Sequence, residues 1–329
     1  MRNFAFTKVT NNLVKNSRNG FLNLKKRMKR IGKILFKLAI YLLALIGLIT
    51  LAFLFFIGSQ GYGLSVSYNA PNYAERIGLL RTATPYTTDT TPIDMRFSID
   101  SLRAAEIMAY FRLDTLYSAD DSTWEKSLAI GKFVTRNIPH ANQKVYPEQV
   151  HAIGLWEYTK NVEPAFNCRL HSIMTFELLS AAGIKARYIT CLPKDKNDQD
   201  CHVVNEVWLP EQHKWVMLDT DMGGHYVTDT AGNLLSLREM REHYIADQAM
   251  LFYPGYENGG SQITYYYEYM AKNVYWFARW ENLGFYQEDF TAQPDSTARG
   301  SYYALVPSSF EPFGRYDPKP TSDVEQFWK

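Results

Sequence analysis

Apolar positions along the 329 residues fall into one unbroken block, a series of periodic segments and an aromatic-rich run. The block is Leu38–Gly58, LAIYLLALIGLITLAFLFFIG, with no charge in 21 residues. At 1.5 Å rise per residue such a helix covers about the 30 Å hydrocarbon thickness of a bilayer. It exceeds the usual signal-peptide core of about 7–15 residues, and no small-x-small cleavage site follows it. The pattern predicts an uncleaved transmembrane signal anchor, not a buried soluble helix.

Beyond the block, 59–95 is rich in Gly, Ser, Thr, Pro and Tyr and reads as a spacer. Helical periodicity then predicts a helix from Ser98 or Ser101 through RAAEIMAYFR. A second begins at Asp121-Ser122, with Trp124, Leu128, Ile130, Phe133 and Val134 on its apolar stripe, and a third at Pro147. Asn167 is a good N-cap for CRLHSIMTFELLSAA, apolar nearly all round and so buried, with Gly183 as its stop. Arg187–Cys191, His202–Leu209 and Trp215–Thr220 read as strands, the last returning against the second. Helices followed by an antiparallel sheet make the class α+β. We therefore divide the chain into 1–37 (basic tail), 38–58 (anchor), 59–95 (spacer), 96–235 (α+β domain) and 236–329 (extension). The extension is aromatic-rich, with fourteen Phe, Trp or Tyr in Phe252–Phe290, and is expected to be helical before a polar tail. Such a run suits a subdomain core more than a sugar-stacking groove.

Charge orients the anchor. Residues 1–37 hold eleven Lys or Arg and no acid, the first acidic residue being Glu75, and the rest of the chain carries 24 basic and 34 acidic residues. A basic flank before an apolar span keeps the N-terminus cytoplasmic and sends the acidic domain across, to a periplasmic or extracellular location. This asymmetry argues for membrane orientation and against nucleic-acid binding. The chain has three cysteines. Outside the cytoplasm a pair can oxidise, and Cys191 and Cys201, bracketing the loop LPKDKNDQD, are the candidate disulfide, which leaves Cys168 as the odd thiol.

Cys168 opens its helix, where unpaired N–H groups and the helix dipole favour a thiolate and can hold an oxyanion. A thiol nucleophile also needs a base and a group to orient that base. With a four-residue turn Pro210–His213, Leu209 pairs Lys214. His202 then lies opposite Asp221, and Asp219 sits diagonally on the same face. The spacing permits Cys168, His202 and Asp219 as a catalytic triad and keeps Asp221 as a rival orienter. A turn one residue longer would put Asp219 on the other face. His171, Arg187, Trp208 and Trp215 are expected to be structural, the tryptophans as a cross-strand pair. Cys168, His171, Cys191, Cys201 and His202 resemble zinc ligands by type. However, Cys201 and His202, adjacent on a strand, point to opposite faces, so no metal is expected.

NCRLHSIMTFELLSAAGIKARYI followed by HVVNEVWLPEQHKWVMLDTD resembles the transglutaminase-like superfamily, relatives of papain-type thiol enzymes. The resemblance rests on Cys168 opening a helix, Gly183-Ile184 with Arg187, His202 with Asn205-Glu206-Val207, and Trp215 with Asp219. It covers roughly 95–235. It implies nucleophile, base and orienter in that order, a helix-plus-antiparallel-sheet core, and no cofactor, since nothing matches the calcium sites of crosslinking relatives. An oxyanion-donating side chain upstream of the Cys is common in the family, and Trp156 is the candidate here. The expected activity is acyl transfer on peptide or side-chain amides, hydrolysis before crosslinking, with peptide, protein or peptide-glycan substrates. The alternative is a non-catalytic anchored module of the same fold that binds envelope peptide or glycan.

Overall fold

The computed structural model describes residues 27–50, 71–83, 95–97, 99–198, 200–221, 224–254, 263–284, 300–307, 310–314, 317–321 and 323–329. Two compact units divide at residue 62. In the first, α1 (Arg27–Thr50) is long and apolar enough to cross a membrane and buries none of its apolar side chains. The remainder of the 38–58 block, most of the basic tail and much of the spacer lie outside the described residues.

In the second unit, α2 (Pro71–Thr82) and the short β1 (Arg96–Phe97) precede a helical layer. Within that layer α3 spans Ser101–Phe111, α4 Thr123–Asn137 and α5 Ala152–Asn161. Asp100 caps α3, and Ser122 with Glu125 forms a reciprocal capping box on α4, which satisfies N–H groups the first turn leaves open. The third helix starts five residues later than Pro147 suggests, because His151 takes the cap by accepting from Gly154 N–H. Glycine is needed at 154: a Cβ there would stand 2.5 Å from Gln149 Cβ.

The central helix α6 (Cys168–Ala181) is covered on all sides, as its unbroken apolar run requires, with α3, α4 and α5 on one side and the sheet on the other. Gly183, at φ +75°, provides the left-handed stop. The sheet then opens with β2 (Ala186–Leu192), β3 (His202–Leu209) and β4 (Lys214–Leu218). Leu209 pairs Lys214 and Trp208 pairs Trp215, the register inferred from the turn length, and the two indoles meet edge-on at 5.6 Å.

After β4 come β5 (His225–Asp229), paired with β6 (Met250–Pro254), and between them α7 (Leu237–Ala246). Next are α8 (Ile263–Asn273), β7 (Trp276–Trp280), β8 (Asn282–Leu283), β9 (Tyr302–Leu305), β10 (Lys319–Thr321) and α9 (Val324–Trp328). The aromatic-rich stretch thus supplies helices, as expected, and also strands. β7 lies antiparallel against β2, so the main sheet has the order β10-β9-β7-β2-β3-β4. Three of its six strands follow residue 235, and the aromatics Trp276, Phe277 and Tyr266 are core of the same body.

Two motif residues bind these layers together. Asn205 Nδ2 donates to Ser172 O of α6 at 2.9 Å, fixing the helix to the sheet. Buried Arg187 forks onto Glu206 Oε2 at 2.9 and 2.6 Å, its plane 3.9 Å from the Trp215 ring, while Glu206 Oε1 accepts from Leu237 N at the start of α7.

Candidate active site

Cys168 is the first residue of α6 because Asn167 caps the helix, its side chain accepting from Leu170 N–H at 3.1 Å. Gln143 braces that entry, donating to Ala141 O and Ala165 O and accepting from Asn167 N–H. The half-buried thiol lies 3.9 Å from Cys201 O, where the chain enters β3.

His202 begins β3 and is buried. Its Nε2 stands 2.6 Å from Asp219 Oδ2, just past the end of β4, which leaves Nδ1 as the nitrogen available to the Cys168 thiol. The structure therefore brings Cys168, His202 and Asp219 together as the register allowed. Burial works against a charged imidazole. The Asp219 carboxylate and the neighbouring thiol outweigh it and hold His202 well above its ordinary value. An imidazolium that persists at neutral pH stabilises a thiolate beside it and has a proton for a leaving amine.

Asp219 is fully engaged. Tyr266 OH, from α8, donates to Oδ2 at 2.8 Å, and Asp221 N–H donates to Oδ1 at 2.9 Å. Tyr269, one turn further along α8, meets the His202 ring edge-on at 5.3 Å, and its hydroxyl faces Asp200 Oδ1 and Cys201 O. Neither tyrosine is foreseen by the motifs. The only sequence signal was an i, i+3 pair of aromatics in a helical run.

The rival orienter, Asp221, is occupied elsewhere. His140 Nδ1 lies 2.7 and 2.9 Å from its two oxygens, and His171 Nδ1 lies 3.1 Å from Oδ1, with His171 Nε2 donating to Ile138 O. Burial would raise Asp221, but the two imidazoles more than offset it and hold the carboxyl below the usual carboxylate range. Asp221 is nonetheless close to the thiol: one ligand atom each of Cys168, His202 and Asp221 lie within 4.8 Å of one another. That trio differs from the zinc-like set of the sequence, since neither Cys191, Cys201 nor His171 joins it.

Two expectations are corrected. Cys191 and Cys201 are free thiols and not a disulfide. Cys191 pairs directly with His202 across the ladder, so alternation turns the preceding Cys201 to the other face. Burial pushes both thiols above the ordinary value, Cys191 far more. Trp156 is not at the thiol: it stacks on Phe133 at 5.4 Å and meets Phe111 edge-on at 5.6 Å, with Lys160 Nζ over its face at 4.1 Å. Its position on α5, one turn after Ala152 and beside buried Leu155, aims it at α3 and α4.

Residues 112–220 match the transglutaminase-like superfamily, a span that holds Cys168, His202 and Asp219 but neither Asp221 nor Tyr266. The domain has the transglutaminase-like fold, which supports a cysteine-type enzyme at the level of the superfamily. No curated protein matches the chain. Among solved structures, a Cytophaga hutchinsonii protein provisionally named a cysteine protease is 18% identical over 38% of this chain and 39% of that one, with a TM-score of 0.29. A likeness at that level carries no weight for activity.

Proposed function

We propose that this transglutaminase-like domain is a membrane-anchored thiol enzyme that hydrolyses peptide or side-chain amide bonds through Cys168, His202 and Asp219. The observation that carries the reading is the 2.6 Å contact between His202 and Asp219, at the mouth of the helix that Cys168 opens. Cys168 attacks the amide carbonyl, His202 protonates the departing amine, and water resolves the thioester. Asp219 holds the ring in the orientation that serves both steps. Hydrolysis is favoured over crosslinking because the sequence offers no recognisable site for a second amine.

In this reading the apolar block 38–58, part of which lies in α1, is the anchor, and the basic flank before it holds the N-terminus in the cytoplasm. The domain then works in the periplasm or outside the cell, on peptide, protein or peptide-glycan substrates, with no nucleic-acid partner.

The test is iodoacetamide labelling with mass mapping, alongside amide turnover of Cys168→Ala. Cys168 should label near neutral pH while Cys191 and Cys201, whose thiols burial keeps protonated, stay unlabelled. Turnover should vanish in Cys168→Ala with folding intact. Undiminished turnover, or a Cys168 inert below the range of a free thiol, about 8.5, would leave a binding module of the same fold as the better account.

A further inference from the structure

We propose that His140 is a catalytic residue of this site: its Nε2–H donates to the acyl oxygen when Cys168 attacks, the side-chain half of an oxyanion hole whose other half is the backbone N–H of Cys168. The assignment rests on the thiol reading above. It fills a role that Trp156, packed against α3 and α4, does not occupy.

Placement comes first. The segment carrying His140 runs beside the chain that enters α6: His140 bridges Phe166, Ala141 N–H donates to Phe166 O at 2.8 Å, and Phe166 N–H donates to Pro139 O at 3.0 Å. His140 is therefore fixed by backbone pairing two residues before Cys168, on its upstream side. Its ring reaches Asp221, whose carboxylate lies within 4.8 Å of both the Cys168 sulfur and His202. An oxyanion donor must stand about 2.7–3.1 Å from the developing charge. The carboxylate that holds the His140 ring is the same one that borders the sulfur, so ring and thiol flank one group.

Orientation and charge follow. Nδ1 is committed to Asp221, so the nitrogen that can meet substrate is Nε2, which has no protein partner among the described residues. The side chain is 41% exposed, whereas His171, the other imidazole on Asp221, is 1% exposed with both nitrogens engaged. A purely structural partner for a buried carboxylate would not need an open edge. Asp221 also favours the charged ring. Its hydrogen bond is the main cause holding His140 above the ordinary imidazole value, against opposition from burial and from His202, with a smaller contribution from Asp219. The charged ring carries the Nε2–H that an oxyanion needs; a neutral ring with Nδ1–H on Asp221 presents a bare lone pair instead.

In the step itself, Sγ bonds to the carbonyl carbon and the C=O π pair moves onto oxygen. His140 donates a hydrogen bond to that oxygen and keeps its proton. Collapse restores C=O and expels the leaving group, which in an amide takes its proton from His202.

Two reagents separate this role from simple thiol activation. Iodoacetamide alkylates Cys168 without forming an oxyanion, whereas p-nitrophenyl acetate acylates it through one and expels p-nitrophenolate without needing a proton. The ratio of the two rate constants, measured on the full chain in detergent, cancels the thiolate fraction. For His140→Ala the ratio should fall on the order of 10²–10³-fold, the cost of losing one oxyanion donor. His140→Gln, with an amide N–H near the Nε2 position, should recover part of that loss. In the wild type the ratio should decline as pH rises through the folded value of His140, which lies above 6.5; in His140→Gln it should be flat. A ratio unchanged in His140→Ala overturns the assignment, as does an equal fall in both variants with the pH decline intact. A wild-type Cys168 that reacts with neither reagent overturns the thiol reading itself.

Discussion

Replacing Arg279 by Met should leave the protein as stable or make it more so, although Arg279 is a buried charged residue. The reason lies in the charges behind the sheet. Arg187 and Arg279 are each 1% exposed, and the carboxylate beside them among the described residues is Glu206. Arg187 takes Glu206 through two hydrogen bonds and Trp328 O through a third. Arg279 is left with one, from Nη1 to Phe327 O at 2.9 Å, while its Nε and Nη2 have no partner among the described residues. Burial, with repulsion from Arg187, holds the Arg279 guanidinium well below its ordinary value. Each orphaned donor costs about 1–3 kcal/mol, and the lost bond to Phe327 O was worth about 1.5–3 kcal/mol. Met, flexible and similar in length, keeps contact with Phe97 and Phe327. The net change is on the order of 0–3 kcal/mol in favour of the variant. Glu206→Gln should do the opposite, leaving two buried cations without an anion at a loss of about 3–5 kcal/mol. Urea unfolding of the full chain in detergent, followed by tryptophan fluorescence, reads both. A loss above about 2 kcal/mol in Arg279→Met at unchanged m-value would refute the charge argument.

Tyr266→Phe removes a buried donor to Asp219 and should lower stability by about 1.5–3 kcal/mol while Cys168 remains alkylable; a stability equal to wild type in the same urea experiment would mean the hydroxyl contributes nothing to Asp219. The contact between His140 and Asp221 should show in the pH dependence of unfolding. Asp221, held below 3.8, contributes above that value and loses its contribution as pH falls through its folded value; His140, held above 6.5, contributes fully below that value and loses it as pH rises through its folded value. The stability difference between wild type and His140→Gln should therefore be widest between 3.8 and 6.5 and shrink on both sides, and a difference that widened above 6.5 would contradict it.

Local periodicity and turn length made much of this legible. The capped start of α6 was readable from Asn167 and its stop from Gly183, and a four-residue turn sufficed to pair Leu209 with Lys214. The same arithmetic put Asp219 and Asp221 on one face and could not choose between them. What separates them is tertiary: Tyr266 supports Asp219, and two imidazoles claim Asp221. Tyr266 lies 47 residues beyond Asp219, a distance over which no local pattern carries information. His140 was hidden because its one signal is a parallel bridge to Phe166 across a loop and helix. The disulfide expectation failed on strand alternation, which a bracketing spacing does not reveal.

The placement of β7 between β2 and β9 has a consequence for the order of assembly. A nascent chain emerging as far as Asp219 already holds the sulfur, the imidazole and the carboxylate, yet the flank of β2 stands open and Asp219 lacks its phenolic support. Both arrive only with residues 263–280, so long-range docking gates the maturation of the thiol centre.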